Sequence, residues 1–118
     1  MKKISVVLVM MFFAVMSFAQ EKNKKMTMEV DGVCGMCKLR IEKAALGVKG
    51  VKYALWDIPS HDLSLIFDER KTDPMKIKMA LVAAGHDTKE LKATEEAYGK
   101  VMPCCKYRDE AVVKSHEN

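Results

Sequence analysis

Alternation of apolar and polar residues predicts where the strands of this chain lie. Residues 26–31 alternate over six positions, the period of a strand with one buried face. Residues 51–58 are rich in β-formers, and residues 62–67 alternate again after a turn at residues 59–61. A weaker strand is predicted at residues 87–93, mainly from two apolar positions. The pattern therefore predicts four strands, the middle two joined as a hairpin.

Apolar residues at spacings of three and four predict two helices. The first covers residues 37–46 and ends before Gly47. Its apolar positions are Cys37, Ile41, Ala44, Ala45 and Val48. The second begins after Asp73, which can cap it, has Pro74 in its first turn and ends at Gly85. Its apolar positions are Ile77, Ala80, Leu81 and Ala84.

The order of these elements is strand, helix, strand, strand, helix, strand, which predicts an α+β, ferredoxin-like βαββαβ sandwich. We expect a four-stranded antiparallel sheet in the order 4-1-3-2, with two helices on one face and a C-terminal extension. This topology brings three segments to one end of the domain. They are the loop at residues 34–37, the hairpin turn with His61, and the corner at His86. Two imidazoles would then lie near two thiols.

The N-terminus has the features of a secretory signal peptide. Lys2 and Lys3 precede an apolar run at residues 4–18, and Ser17 and Ala19 are small residues at the −3 and −1 positions. The run is short for a membrane-spanning helix of about 20 residues. We expect residues 1–19 to be removed, leaving a periplasmic protein without stable membrane insertion; an uncleaved anchor is the alternative.

Length, charge and cysteine count restrict the function further. The chain has 118 residues, enough for one domain, with residues 20–25 as a polar lead-in. Loss of Lys2 and Lys3 leaves 18 basic and 16 acidic side chains, a net charge of +2 without a basic stripe, so nucleic acid is not an expected partner. All four cysteines follow the cleavage point, and in an oxidising compartment disulfides compete with metal.

The candidate chemistry is centred on Cys34-Gly35-Met36-Cys37. Two thiols three positions apart at the start of a helix can face the same small space, which suits a soft metal ion or a disulfide. The helix N-terminus, with Lys38 and Arg40 nearby, is predicted to lower the pKa of Cys37 and that of Cys34. Met36 is either a spare soft ligand or an apolar lid.

His86 is the further candidate ligand on the domain itself. A neutral imidazole at this corner could complete a three-coordinate site or donate a hydrogen bond to a thiolate. The alternative is a solvated loop histidine. His61 is interpreted as a turn residue, and His116 in the polar terminus as uninvolved.

A second pair of thiols, Cys104 and Cys105, lies in the tail, residues 94–118. The ten residue-to-residue steps from Thr94 to Cys104 could span about 33 Å when extended, more than the length of a strand. The tail is therefore long enough to return to the cysteine loop. Its thiols could add ligands, bind a second ion, form disulfides or remain inert.

The pattern at residues 26–93 resembles the heavy-metal-associated domain of copper chaperones, of copper-transporting P-type ATPases and of the periplasmic mercury-binding protein. The matching features are Gly32, the cysteines Cys34 and Cys37, residues 40–44, Gly50 with Val51, and residues 83–85. The resemblance implies Cys34 and Cys37 as metal ligands. The chain departs from the family in having only Val33 between Gly32 and the first cysteine, and His86 where an aromatic residue or a lysine is common.

The resulting hypothesis is an exported, non-enzymatic Cu(I) metallochaperone or scavenger. Two thiolates can hold Cu(I) with coordination left open for exchange. Hg(II) fits two sulfurs as well, and Zn(II) prefers four ligands. The expected partner is a metal-transporting membrane protein or another metal-binding domain, bound transiently. The alternatives are a thiol-disulfide oxidoreductase and a metal-sensing or accessory interaction module.

Overall fold

The structure is a computed structural model that describes residues 20–116; the predicted signal peptide lies outside the described residues. The described residues form three strands, four helices and one 3₁₀ turn. The elements are β1 (Lys24–Glu29), α1 (Gly35–Leu46), β2 (Val51–Trp56), β3 (Asp62–Phe67), α2 (Pro74–Ala83), α3 (Glu95–Gly99), the 3₁₀ turn (Pro103–Cys105) and α4 (Glu110–Ser115). Between residues 20 and 116, every helix is too short or too polar to cross a membrane.

The sheet is antiparallel and has the order β1-β3-β2, which agrees with the predicted order for these three strands. Leu65 in β3 lies opposite Met26 in β1 and Ala54 in β2. One face of β3 is buried through Leu63, Leu65 and Phe67, as the alternation predicts. Asp62–Phe67 has the predicted bounds, β1 begins two residues early, and β2 ends at Trp56.

The predicted fourth strand, residues 87–93, is wrong: in the described part of the chain the sheet has three strands. Only an isolated bridge between Val30 and Thr88 remains of the expected pairing. The Thr88 N–H donates to the Leu91 carbonyl at 2.8 Å, and the Leu91 N–H donates to Thr88 Oγ1 at 3.0 Å. The segment therefore closes as a turn, because short polar side chains compete with a ladder for backbone groups.

Helices α1 and α2 both contribute apolar side chains to a core against the sheet. Helix α1 buries Cys37, Ile41 and Ala45, and α2 buries Ile77 and Leu81. Each large aliphatic side chain buried in this way stabilises the fold by about 1.5–3 kcal/mol before entropy costs. Helix α1 is thereby fixed on the sheet, and the cysteine that lies in its first turn is fixed with it.

The ends of the helices follow local chemistry. Asp73 accepts a hydrogen bond from the Lys76 N–H at 2.9 Å, which confirms it as the cap of α2. Gly85, just beyond α2, has φ +98°, a conformation that favours glycine. A Cβ at Gly85 would lie 2.5 Å from Cγ2 of Val101, so the missing side chain also makes room for the tail.

The tail returns to the domain instead of extending away from it. Val101 and Cys105 are buried in the same core as α1 and the sheet. The Tyr107 hydroxyl donates to the Gly85 carbonyl at 2.7 Å and accepts from the Asp87 N–H at 3.0 Å. The turn at residues 88–91 keeps the chain near the corner at residues 85–87. The tail then folds back and covers that corner.

Candidate metal centre

Cys34 and Cys37 lie on either side of the start of α1. Cys34 caps the helix in an extended conformation, and its carbonyl accepts the first helical hydrogen bond from the Lys38 N–H at 3.0 Å. Helix α1 thus begins at Gly35, earlier than predicted, and Cys37 lies in its first turn. The two Sγ atoms are 3.7 Å apart. Cys34 is partly exposed, whereas Cys37 is fully buried.

The tail brings the second pair of cysteines to the same place. Cys105 Sγ lies 3.2 Å from Cys34 Sγ and 3.9 Å from Cys104 Sγ. The sulfurs of Cys34, Cys104 and Cys105 all lie within 4.8 Å of one another. Cys104 is exposed, Cys105 is buried, and all four cysteines are free thiols. The structure therefore assembles four thiols from two segments about 70 residues apart in sequence.

The thiols differ in their affinity for protons. Burial raises the pKa of Cys34, but the Cys37 N–H and the Cys105 thiol outweigh it, so the pKa lies below its usual range. Burial raises the pKa of Cys37, and burial together with the neighbouring thiols raises the pKa of Cys105. Cys34 is therefore the first of these three thiols to ionise.

The predicted lowering of the pKa of Cys37 is wrong, whereas the direction predicted for Cys34 is confirmed. Lys38 Nζ donates to Glu42 and to the Trp56 carbonyl. Arg40 Nε donates to the Ala84 carbonyl at 2.8 Å. Both cations have partners away from the thiols, and the desolvation of Cys37 then decides the direction.

His86 is buried rather than solvated, so its interpretation as a solvated loop residue is wrong. Its Nδ1 lies 2.9 Å from the Asp31 carbonyl, and its ring stacks on Tyr107. Nε2 is buried without a hydrogen-bond partner among residues 20–116. Burial lowers the pKa of His86, which favours the neutral imidazole. The structure does not include His86 in the group formed by the sulfurs of the loop and the tail, and its role as a ligand stays a prediction.

The other histidines lie at the same end of the molecule. His61 occupies the hairpin turn with φ +63°, stacks on Trp56 and places Nδ1 4.0 Å from an Asp31 carboxylate oxygen. His116 Nε2 lies 3.0 Å from the Cys104 carbonyl. The predicted meeting of the hairpin turn and the His86 corner is confirmed, because both contact Asp31 just before the cysteine loop.

Sequence reasoning missed the residues that hold the tail. Arg108 donates to the Asp87 carboxylate at 2.7 Å and to the Ala93 carbonyl at 2.9 Å. The Ala93 N–H donates to the same carboxylate at 2.7 Å. Arg108 also lies over the ring of Tyr98, 4.3 Å from its centroid. We call these contacts of Arg108, together with those of the Tyr107 hydroxyl, the anchor of the tail. Its only signal in the sequence is the run of two cations and one aromatic residue at residues 106–108, beside the second thiol pair.

An exposed apolar surface borders the thiols on the side of α1. Met36, Leu39 and Met102 are all exposed. They line a cavity of about 240 Å³ that also reaches Cys105. Met36 therefore lies at the rim of the thiol group, where a lid or a soft ligand was predicted.

No family model matches the chain, and no curated protein matches it. Solved structures do match. A CopZ metallochaperone is 27% identical with a TM-score of 0.53, over 55% of this chain and 98% of its own. Oxidized MerP from Ralstonia metallidurans CH34 is 26% identical with a TM-score of 0.54, over 57% of this chain and 94% of its own. A copper binding domain from HMA7, a P-type ATPase, is 26% identical with a TM-score of 0.53, over 55% of this chain and 89% of its own.

These neighbours match just over half of the chain and nearly the whole of their own lengths. Somewhat less than half of this chain therefore lies outside each match. The fold, the cysteine loop at the start of α1 and these neighbours together confirm the resemblance of this chain to the heavy-metal-associated domain family.

Proposed function

We propose that this chain is an exported carrier or scavenger of Cu(I) that binds the ion through Cys34 and Cys37. The observation that carries the proposal is the pair of sulfurs 3.7 Å apart at the start of α1, one partly exposed and one buried. Thiolates are soft ligands, and a pair of them suits a closed-shell soft ion such as Cu(I). Export rests on the signal-like residues 1–19.

The different burial of the two thiols supports transfer by ligand exchange. Cys37 is held by the core and would be the second ligand to exchange, whereas Cys34 is accessible to a partner and would exchange first. A partner thiolate forms a new bond to Cu(I), and the bond from Cys34 breaks. A second partner thiolate then displaces Cys37 in the same way, and the two freed thiolates take up protons. The oxidation state of copper does not change. The partner would be a transporter or another metal-binding domain, and a copper binding domain from a P-type ATPase is among the similar structures.

The choice of Cu(I) rests on the donor set. Hg(II) is compatible with the same two sulfurs, while Zn(II) usually takes four ligands and would need Cys104 and Cys105 as well. A copper binding domain is among the similar structures, which favours copper at this site. Cu(I), Hg(II) and Zn(II) should therefore be compared directly on the same protein.

An anaerobic titration tests the proposal. Reduced protein comprising residues 20–118 is titrated with Cu(I) against a chromophoric chelator, and we expect one tightly bound ion per chain. Cys34→Ser and Cys37→Ser should each lose that binding. Gly35→Ala is the matched control, because it changes the same loop, retains both thiols and adds a Cβ that meets no heavy atom within 4 Å. Wild-type affinity in Cys34→Ser would contradict the proposal, as would failure of the wild type to compete with the chelator.

A thiol-disulfide oxidoreductase is the second candidate, favoured by the lowered pKa of Cys34 next to two other thiols. Redox turnover separates the two functions. The reduced protein is assayed for catalytic reduction of insulin with a thiol reductant, and a carrier should show no turnover above Cys34→Ser. Sustained turnover that needs Cys34 and Cys37 would favour the oxidoreductase.

A further inference from the structure

We propose that Cys105 supplies a third thiolate to the ion, so that the tail closes the site; this rests on the proposed function. Cys105 Sγ lies nearer to Cys34 Sγ, at 3.2 Å, than Cys37 Sγ does, at 3.7 Å. Cys37 Sγ also lies 3.9 Å from the Cys105 carbonyl, so Cys105 contacts both loop thiols. Cys34 Sγ thus lies within 4 Å of both other sulfurs, and the backbone of Cys105 contacts the third.

The spacing of the sulfurs suits a three-coordinate ion. Metal-sulfur bonds of about 2.3 Å place the sulfurs of a trigonal site about 4 Å apart. The two separations from Cys34 Sγ, 3.2 and 3.7 Å, are shorter than this by less than 1 Å. For these two pairs of sulfurs, a trigonal ion therefore requires a change in separation of less than 1 Å.

Packing determines the position of Cys105. Its N–H donates to the Met102 carbonyl at 2.8 Å, which closes the 3₁₀ turn, and its side chain is 1% exposed. Val101 is buried just before the turn, against the space left by Gly85. A thiol positioned by packing in this way is preorganised as a ligand, because the ordering cost is met on folding.

Polar contacts on the other side of the turn keep it closed. Tyr107 bridges Gly85 and Asp87, and Arg108 binds the Asp87 carboxylate. The anchor lies immediately after Cys105 in sequence, so opening of the anchor would move the third ligand. A partner must therefore displace Cys105 as well as Cys34, and we expect the tail to slow transfer of the ion.

Cys104 provides a matched control within the same turn. It is exposed, and its sulfur lies 3.9 Å from that of Cys105 and within 4.8 Å of that of Cys34. We assign it no bond in the closed site. Cys104→Ser and Cys105→Ser are the same substitution at adjacent positions, so their difference reports the role of Cys105.

X-ray absorption of the protein loaded with one equivalent of Cu(I) counts its sulfur ligands. We expect three sulfurs in the wild type and in Cys104→Ser, and two in Cys105→Ser. Cys105→Ser should also transfer Cu(I) to a chelator faster than Cys104→Ser does. Three sulfurs in Cys105→Ser would overturn the inference, and so would loss of a sulfur in Cys104→Ser alone.

A measurement on the wild type covers the case in which Cys105→Ser fails to fold. In enough urea to make all four thiols of the metal-free protein reactive, Cu(I) should protect Cys34, Cys37 and Cys105 from alkylation and leave Cys104 reactive. Alkylation of Cys105 as fast as Cys104 in the loaded protein would overturn the inference. If Cu(I) in the wild type has only two sulfur ligands, the inference about Cys105 is overturned and the proposed function stands. If the wild type does not bind Cu(I), the proposed function itself is overturned.

Discussion

Helix α1 and the tail hold their cysteines by different forces. Cys37 is part of an apolar helix face with Ile41 and Ala45, all fully buried. Cys105 is buried too, but the segment that follows it is held by hydrogen bonds and an ion pair to Asp87. A change in the core should therefore destabilise both thiol pairs, whereas a change in the polar anchor should release only the tail.

Removal of core volume under Cys37 should have the largest effect. Ile41→Ala leaves a cavity beneath α1 and should lower the free energy of unfolding by about 2–5 kcal/mol. Urea unfolding followed by the fluorescence of Trp56, the single tryptophan, measures this loss. Leu39→Ala on the exposed side of α1 is the control, with a change within about 0.5 kcal/mol. Equal losses in the two variants would show that the core does not hold α1.

Removal of the cation from the anchor should have a smaller and more local effect. Arg108→Ala leaves the buried Asp87 carboxylate without its closest cation, at a cost of about 2 kcal/mol for a charged hydrogen bond. Hydrogen exchange should show loss of protection at the Cys105 N–H, with the amides of α1 unchanged. Lys114→Ala removes an exposed charge from α4 and should change neither. If the α1 amides of Arg108→Ala lost as much protection from hydrogen exchange as the Cys105 N–H, the two regions would not be held separately.

Loss of one hydroxyl should weaken the anchor less. Tyr107→Phe keeps the ring against His86 and Tyr98 but removes the group that bridges Gly85 and Asp87. We expect a cost of about 1 kcal/mol, seen as faster exchange at the Cys105 N–H. The variant retains every thiol, so it also tests whether tail opening speeds transfer of Cu(I). Exchange at Cys105 as slow as in the wild type would show that the ring, not the hydroxyl, holds the tail.

The same contrast explains which features the sequence could predict. Strands β1 to β3 and both core helices bury apolar residues at regular spacing, so periodicity locates them and places Cys34 and Cys37 at the start of α1. The fourth strand was predicted from Leu91 and Ala93, but Thr88 closes a turn with Leu91 instead. Side-chain hydrogen bonds of this kind have no period, and sequence patterns do not report them.

The position of the tail was unpredictable for the same reason. Chain length showed that Cys105 could reach the loop, but its arrival depends on contacts of Tyr107 and Arg108 with a corner far away in sequence. Gly85 was predicted as the end of α2, while its second role, making room for Val101, is visible only in three dimensions. The cysteine loop was therefore predictable as a candidate site, and the position of the tail thiols beside it was not.

A fall in pH should have the smallest of these effects, and it should weaken the tail without weakening helix α1. Burial alone would raise the pKa of Asp87, but the hydrogen bonds from Arg108 and from the Ala93 N–H outweigh it and lower the pKa below 3.8. The stability that Asp87 contributes is then fully present above its ordinary pKa and is lost as the pH falls through the lower, folded value. Below about pH 4, protection of the Cys105 N–H should therefore fall relative to that of the Ile41 N–H. Asp87→Asn should weaken the tail at neutral pH and remove this dependence, and an unchanged dependence in Asp87→Asn would assign the effect to another carboxylate.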